Sequence, residues 1–339
     1  MGDPLLEAHD VTQVFGRGEG ANVALDGVSF SISGEVPSFT AIVGESGSGK
    51  TTLARSLLGF QRPTGGEVRY QGQDLYRASA DRQATFRREV QAIFQDPFEV
   101  YNPFYKVDHL LSVPIRMFKL ASSRSEAAEL VDTSLRTVGL DPAETLGRYP
   151  HQLSGGQRQR LTVARALVIR PRLIIADEPV SMIDASLRAT VLDSLRRLHQ
   201  DFGISFVYIT HDLTTAYQVS DNVIVLYRGT VAETGSVEDV IKRPKHPYTQ
   251  LLVQSIPQPD PDRPWGEEMV VPEQDAPAHD TGGGCPFIDR CPHAMAVCAE
   301  SPPPLFRTAP HQAAACYLHE DAAETVEGDV AQAFATPAG

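Results

Sequence analysis

The 339-residue sequence has no run of about 18 apolar residues, the length a membrane-crossing helix needs. Its first 30 residues lack the basic start and apolar core of a signal peptide. Both absences lead us to expect a protein that stays in the cytoplasm and meets a membrane only through partner proteins. Positive charge is short too: 30 Lys and Arg face 43 Asp and Glu, a net charge of −13. That balance argues against a surface that grips nucleic acid or anionic lipid by electrostatics. Cysteine is scarce, and all four lie between Cys285 and Cys316. A reducing cytosol disfavours structural disulfides, so their clustering needs another cause. What remains is ordinary globular material, 42% hydrophobic and 22% charged, enough for one sizeable α/β domain and a smaller part.

The chain is organised around Gly44-Glu45-Ser46-Gly47-Ser48-Gly49-Lys50-Thr51-Thr52, which matches the phosphate-binding loop pattern in full. Before it, Phe39 to Val43 is a short apolar, β-branched run that reads as a buried strand; after it, Lys50 to Leu58 has helical spacing closed by Gly59. Glycines let successive N–H groups converge on an anion, and the helix start adds partial positive charge. Lys50 would reach the β- and γ-phosphates and Thr51 would ligate Mg²⁺. A glycine-rich turn that merely precedes a helix is the alternative, and the strand and helix context weighs against it.

Upstream, residues 5 to 32 alternate apolar and polar positions around a Gly16 to Gly20 turn, which suggests antiparallel strands. Phe15 ends the first of them, where a ring can stack on a purine or simply pack. Downstream, residues 64 to 72 read as turn, strand, turn, and Asp81 to Val90 as a charged helix. Ile93 to Pro97 ends a strand on Gln95, a residue placed either to touch Mg²⁺ and the attacking water or to be solvated. From Asn102 to Pro171 the pattern is helical, with an amphipathic Ser125 to Val138 and a second helix near Gly155. Ser154 can cap that helix, and Gly155 and Gly156 leave its N–H groups open to an anion. One nucleotide rarely needs two such starts, so this one suits another chain's nucleotide.

Leu173 to Pro179 is an apolar strand ending in Asp177 and Glu178. Asp177 would hold the metal and Glu178 orient or deprotonate the attacking water, although an acid after a strand can also just cap the next helix. A strand from Ile204 to Ile209 then delivers His211, which either meets a γ-phosphate or lies exposed near a helix cap. Alternating strands and helices with functional groups at strand ends give an open α/β sheet with its ligand on that edge.

Taken together, the phosphate loop, Gln95, Leu153-Ser154-Gly155-Gly156-Gln157, Leu173 to Pro179, Asp184 and His211 resemble the ATPase subunit of an ATP-binding-cassette transporter over residues 5 to 243. The resemblance implies a fold with a parallel-sheet core, an antiparallel β subdomain and an inserted helical lobe over about 102–171. It further implies a head-to-tail dimer in which Ser154 and Gly156 of one subunit close on the γ-phosphate held by Lys50 of the other. Phe15 becomes the adenine-stacking residue, Gln95 the Mg²⁺ and water contact, and His211 the γ-phosphate switch. Ser181-Met182-Ile183-Asp184 departs from the family's small residues before Leu-Asp, which alters subunit packing and keeps the acid.

His246 to Pro257 is similar to the start of the C-terminal extension of oligopeptide and dipeptide importer ATPases, a branch that also moves nickel or oligosaccharides. The expected domains are a cassette over 1–243, an extension over 244–319 and a disordered acidic tail over 320–339, with a linker from Pro257 to Gly284. Cys285, Cys291, Cys298 and Cys316, spaced by five, six and seventeen residues, suit a soft metal or an iron–sulfur cluster. Similar extensions carry a [4Fe–4S] cluster, which the resemblance favours over Zn²⁺. The cysteine segment should then be a small knob stapled by metal, too short to fold on apolar burial alone. Implied partners are a second ATPase subunit, two permeases and an extracytoplasmic binding protein, at the cytoplasmic face of the membrane. An exporter ATPase, or a soluble cassette acting on ribosomes or DNA, fits the extension and the acidic charge less well.

Overall fold

The computed structural model describes residues 3–96, 101–256 and 283–325, together with 330 and 334. Most of the linker and tail anticipated from the sequence lies outside the described residues. The alternating N-terminal stretch forms two long antiparallel strands, β1 (Pro4–Phe15) and β2 (Asn22–Ser33), with Ala8 opposite Phe30 and Val14 opposite Val23. The apolar run becomes β3 (Phe39–Val43), buried along its whole length, and leads through the glycine loop into α1 (Lys50–Leu57). β4 (Gly65–Tyr70) and the short β5 (Gln73–Asp74) complete a four-stranded sheet in the order β2-β1-β4-β5. α2 (Ala80–Glu89) is capped by the Ser79 hydroxyl, and β6 (Val90–Ile93) begins at the next residue. Val90 therefore belongs to the strand, opposite Leu173, and not to the charged helix that its neighbours predict.

The helical lobe contains α3 (Val107–Met117), α4 (Arg124–Thr137), the single turn α5 (Pro142–Thr145) and α6 (Gly155–Val168). α3 carries Pro114 inside it, and that proline is why the sequence pattern does not announce this helix. Then follow β7 (Leu173–Asp177), α7 (Ala185–Phe202), β8 (Ser205–Thr210), α8 (Leu213–Val219) and β9 (Asn222–Tyr227). Strands β3, β6, β7, β8 and β9 run parallel, so their C-terminal ends share one edge. β3 shows how both faces are covered: Phe39, Ala41 and Val43 join the core built with α6, α7 and α8, while Ile42 joins the core that includes Leu53 and Leu57 of α1.

The chain continues through β10 (Thr230–Ser236), α9 (Val237–Lys242), α10 (Pro247–Gln254), the short α11 (Val297–Glu300), β11 (Phe306–Ala309) and β12 (Gln312–Ala314). The main sheet has the order β11-β12-β10-β9-β3-β8-β7-β6. The extension is thus not a free-standing knob. β12 pairs antiparallel with β10, Glu233 opposite Ala314, and prolongs the cassette's own sheet. Apolar burial does contribute, because Tyr248 and Phe287 are buried in the core shared with the cassette and the Tyr227, Tyr248 and Phe287 rings cluster at 4.5 to 5.6 Å. At the joint the fully buried Glu233 carboxylate accepts the N–H groups of Lys245 and His246 at 2.9 Å and the Gln312 amide at 2.7 Å. Burial raises its pKa, and those bonds offset part of the cost.

Candidate nucleotide site

The phosphate loop is built on two glycines with no room for a side chain. A Cβ on Gly44 would stand 2.2 Å from the Leu226 carbonyl oxygen, and one on Gly49, at φ 99°, would stand 2.3 Å from that of Ala24. Gly49 is also the N-cap of α1, and no side chain caps that helix, so its first N–H groups stay available to an anion. Ser46 and Gly47 form the exposed tip, Ser48 is buried, and Thr51 is exposed with Thr52 half-buried behind it. Lys50 is buried, and its Nζ donates to the Gly44 and Glu45 carbonyls at 2.7 Å and to Ser48 Oγ at 3.3 Å. Burial lowers its pKa, against the carboxylates of Glu178, Asp177 and Glu45.

Three neighbouring strand ends converge opposite this loop. Asp177 ends β7, and burial raises its pKa despite the Thr51 hydroxyl beside it. Its Oδ1 is buried without a hydrogen-bond partner. An orphaned carboxylate oxygen next to a threonine hydroxyl is the donor set a hard cation takes, so Asp177 and Thr51 fit Mg²⁺. Glu178 follows at φ 45°, a left-handed backbone costing about 1 kcal/mol and held by its N–H donating to Ile209 O at 2.9 Å. Gln95, beyond the end of β6, donates its amide to Glu178 Oε2 at 3.2 Å. His211, just past β8, places Nδ1 2.9 Å from Oε1. The sequence-selected trio Gln95, Glu178 and His211 is one cluster with the glutamate at its centre.

The second helix start differs. Ser154 Oγ accepts the Gln157 N–H at 3.2 Å and Gln157 Oε1 accepts that of Ser154 at 2.9 Å, a closed capping box. Ser154 is exposed, Gly155 half-buried, and Gly156 buried beneath Leu187. Asp184 heads α7 without a side-chain capping bond and is exposed, as is Met182 before it. Phe15, at the end of β1, is 42% exposed.

Sequence reasoning missed two residues at this site. Arg290 donates from Nη1 and Nη2 to Glu45 Oε2 and Oε1 at 2.9 and 3.1 Å, across 245 residues of chain. Its pairing with Glu45 outweighs burial and raises the arginine pKa. The Tyr248 hydroxyl accepts the Glu45 N–H at 2.9 Å. No sequence signal joins these residues to the loop, because one sits beside a cysteine and the other inside a helix motif.

Cys285, Cys291, Cys298 and Cys316 are all free thiols and line one cavity of about 10 Å³ with His246 and Phe287. The Cys285 N–H donates to the Cys298 carbonyl at 2.7 Å. Burial raises the thiol pKa of Cys285 and Cys291 and pushes that of Cys316 up to about 11, with neighbouring thiols adding to each. The donors suit a soft metal, but among the described residues no group of three or more His, Cys, Asp or Glu side chains is placed to hold an ion. The metal staple expected from the sequence is therefore not seen as a closed ligand set; the thiols converge around a space about one water wide.

Loop, acids and histidine define a nucleotide-hydrolysing cassette, and comparison with known proteins agrees. Residues 25–181 match the ABC transporter family and residues 232–298 the oligopeptide/dipeptide transporter C-terminal region. The ATP-binding cassette MJ0796, solved as a dimer in a post-hydrolysis state bound to ADP and Pi, superposes with a TM-score of 0.60 at 28% identity, over 68% of this chain and 98% of its own. Among relatives, the di/tripeptide transport ATP-binding protein DppF of Pseudomonas aeruginosa is 39% identical over 93% of this chain and 96% of its own. The oligopeptide transport ATP-binding protein OppF of Salmonella typhimurium is 39% identical over 83% and 84%. The chain belongs to the ATP-binding-cassette transporter family, in its oligopeptide/dipeptide branch. Among the described residues no helix is long and apolar enough to cross a membrane.

Proposed function

We propose that this chain is the ATPase subunit of a peptide importer, working at the cytoplasmic face of the membrane as a head-to-tail dimer with a second ATPase. The dimer drives two permeases fed by an extracytoplasmic binding protein. The observation that carries this reading is Glu178 held between Gln95 and His211 beside the unpartnered Asp177 oxygen, all opposite the phosphate loop. Loop N–H groups and Lys50 hold the β- and γ-phosphates, and Phe15 stacks on adenine. Thr51 and Asp177, with Gln95 beside them, would hold a Mg²⁺ that would supply neutralisation of the phosphate charge. Glu178 takes a proton from water as its oxygen attacks the γ-phosphorus, and the bond to the bridging oxygen breaks, leaving ADP with that electron pair. His211 fixes the Glu178 carboxylate and reports the γ-phosphate. Ser154, with Gly155, Gly156 and Gln157, closes over the partner's nucleotide, and Asp184 sits at the same junction.

The test is uptake into vesicles carrying the permeases, with ATP on the ATPase side. Labelled oligopeptide should enter only with ATP and binding protein. Uptake of nickel or oligosaccharide in its place would change the cargo, and copurification with RNA rather than permeases would overturn the transport reading.

The cysteine segment is proposed to hold a resident cofactor, a [4Fe–4S] cluster, supported by four free thiols, the soft donors such a cluster takes, lining one cavity. The tightness of that cavity favours a second reading, a single Zn²⁺. Anaerobically purified protein should be brown with iron and sulfide in about equal amounts. Colourless protein with one zinc per chain selects the second reading, and neither metal removes both.

A further inference from the structure

We propose that Arg290 and Tyr248 are positioning residues for the phosphate loop, gripping Glu45 by side chain and backbone so that the cysteine-bearing extension sets the affinity for ATP. One peptide unit, Gly44–Glu45, is held at both ends: Tyr248 Oη accepts its N–H at 2.9 Å, and its carbonyl accepts Lys50 Nζ at 2.7 Å. Tyr248 itself is fully buried. Its hydroxyl therefore fixes the plane of the peptide that aims the loop lysine. The Glu45 side chain poses a separate problem, because a carboxylate in a loop built for triphosphate repels its ligand. Arg290 answers it with a bidentate pair, its own side chain only 11% exposed. The guanidinium is held in turn by the extension and cassette together, 5.8 Å from the Tyr227 ring centroid and 5.7 Å from that of Phe287. Behind it, Arg228 donates to the Pro286 carbonyl at 3.3 Å and ties the Cys285 turn to the end of β9. Any rearrangement of the segment between Cys285 and Cys291 thus reaches the loop through Arg290.

The experiment titrates full-length protein carrying Glu178→Gln with a fluorescent ATP analogue and Mg²⁺, so binding is read without turnover. Arg290→Ala should weaken binding about tenfold, since a charge-assisted pair is lost and a carboxylate is left facing the phosphates. Adding Glu45→Gln to Arg290→Ala should restore most of the affinity, which a merely structural loosening would not allow. Tyr248→Phe, which keeps the ring and removes only the hydroxyl, should weaken binding about threefold and stays informative if Arg290→Ala does not fold. Native affinity in folded Arg290→Ala, failure of Glu45→Gln to restore it, or native affinity in Tyr248→Phe would overturn the proposal. The inference rests on the assignment of the loop to the triphosphate, which Lys50→Ala tests separately: lost binding there beside native binding in Arg290→Ala sinks only the inference.

Discussion

The main sheet has two halves that work differently. In the parallel half, β3 and β6 to β8 point the same way, so four loops open on one edge and place Lys50, Gln95, Asp177, Glu178 and His211 together. The antiparallel half, β10 to β12, has strand ends on alternating edges and cannot gather groups in that way. The connections between its strands reach back to the phosphate loop, as Arg290 and Tyr248 do to Glu45. Strand direction gathers the candidate site in one half, while the other meets it through contacts made from its connections.

The sharpest way to break this division is to remove the chemistry and leave everything else. Glu178→Gln keeps the shape and the contacts of Gln95 and His211 but cannot take a proton. Hydrolysis should fall about 10³-fold with ATP binding retained, measured as phosphate release against nucleotide titration. Turnover at the native rate would remove Glu178 from its assigned role.

A smaller effect should separate the halves by stability. Phe287 is buried among the rings of Tyr227, Tyr248 and His246. Phe287→Ala should cost about 3 kcal/mol, felt first in the extension. Amide exchange should quicken at Gln312–Ala314 while Phe39–Val43 stays protected. Equal quickening in both segments would mean that the halves open as one unit.

The same contrast explains what could be read from the chain alone. The residues assigned to the nucleotide lie in short stretches whose types announce their chemistry, so the loop, the Asp177–Glu178 pair and the Ser154 cap are legible in the sequence. Their mutual placement was legible too, because parallel strands with apolar runs leave few alternatives. The joining of β12 to β10 was not, since Gln312-Ala313-Ala314 carries neither alternation nor β-branched residues and pairs only because β10 offers an edge. Nor was the Arg290–Glu45 pair, an ordinary ion pair closed by tertiary structure.

The gentlest separation uses pH. His199 of α7 is half-buried in the cassette, its Nε2 3.5 Å from Asp221 Oδ2 and its Nδ1 2.9 Å from the Ile204 carbonyl. The same Asp221 oxygen accepts the Phe39 N–H at 2.9 Å, tying α7 to the first residue of β3. Hydrogen bonding to Asp221, ahead of the opposing effect of burial, raises the imidazole pKa above its ordinary 6.5. A raised folded value means that the folded protein binds the proton more tightly, so this contribution is complete below about 6.5 and is lost as pH climbs through the folded value. In the extension His246 has the opposite sign: burial pushes it down to about 4, so its contribution is lost as pH falls below about 6.5. Between about pH 6.5 and 8, below the range in which the raised thiols of the extension titrate, the thermal midpoint should therefore drift down slightly, and the drift should belong to the cassette. His199→Gln should flatten it, whereas Phe287→Ala should lower the midpoint and leave the slope intact. A slope that survives His199→Gln would move the titrating group elsewhere and leave the two halves indistinguishable by pH in that range.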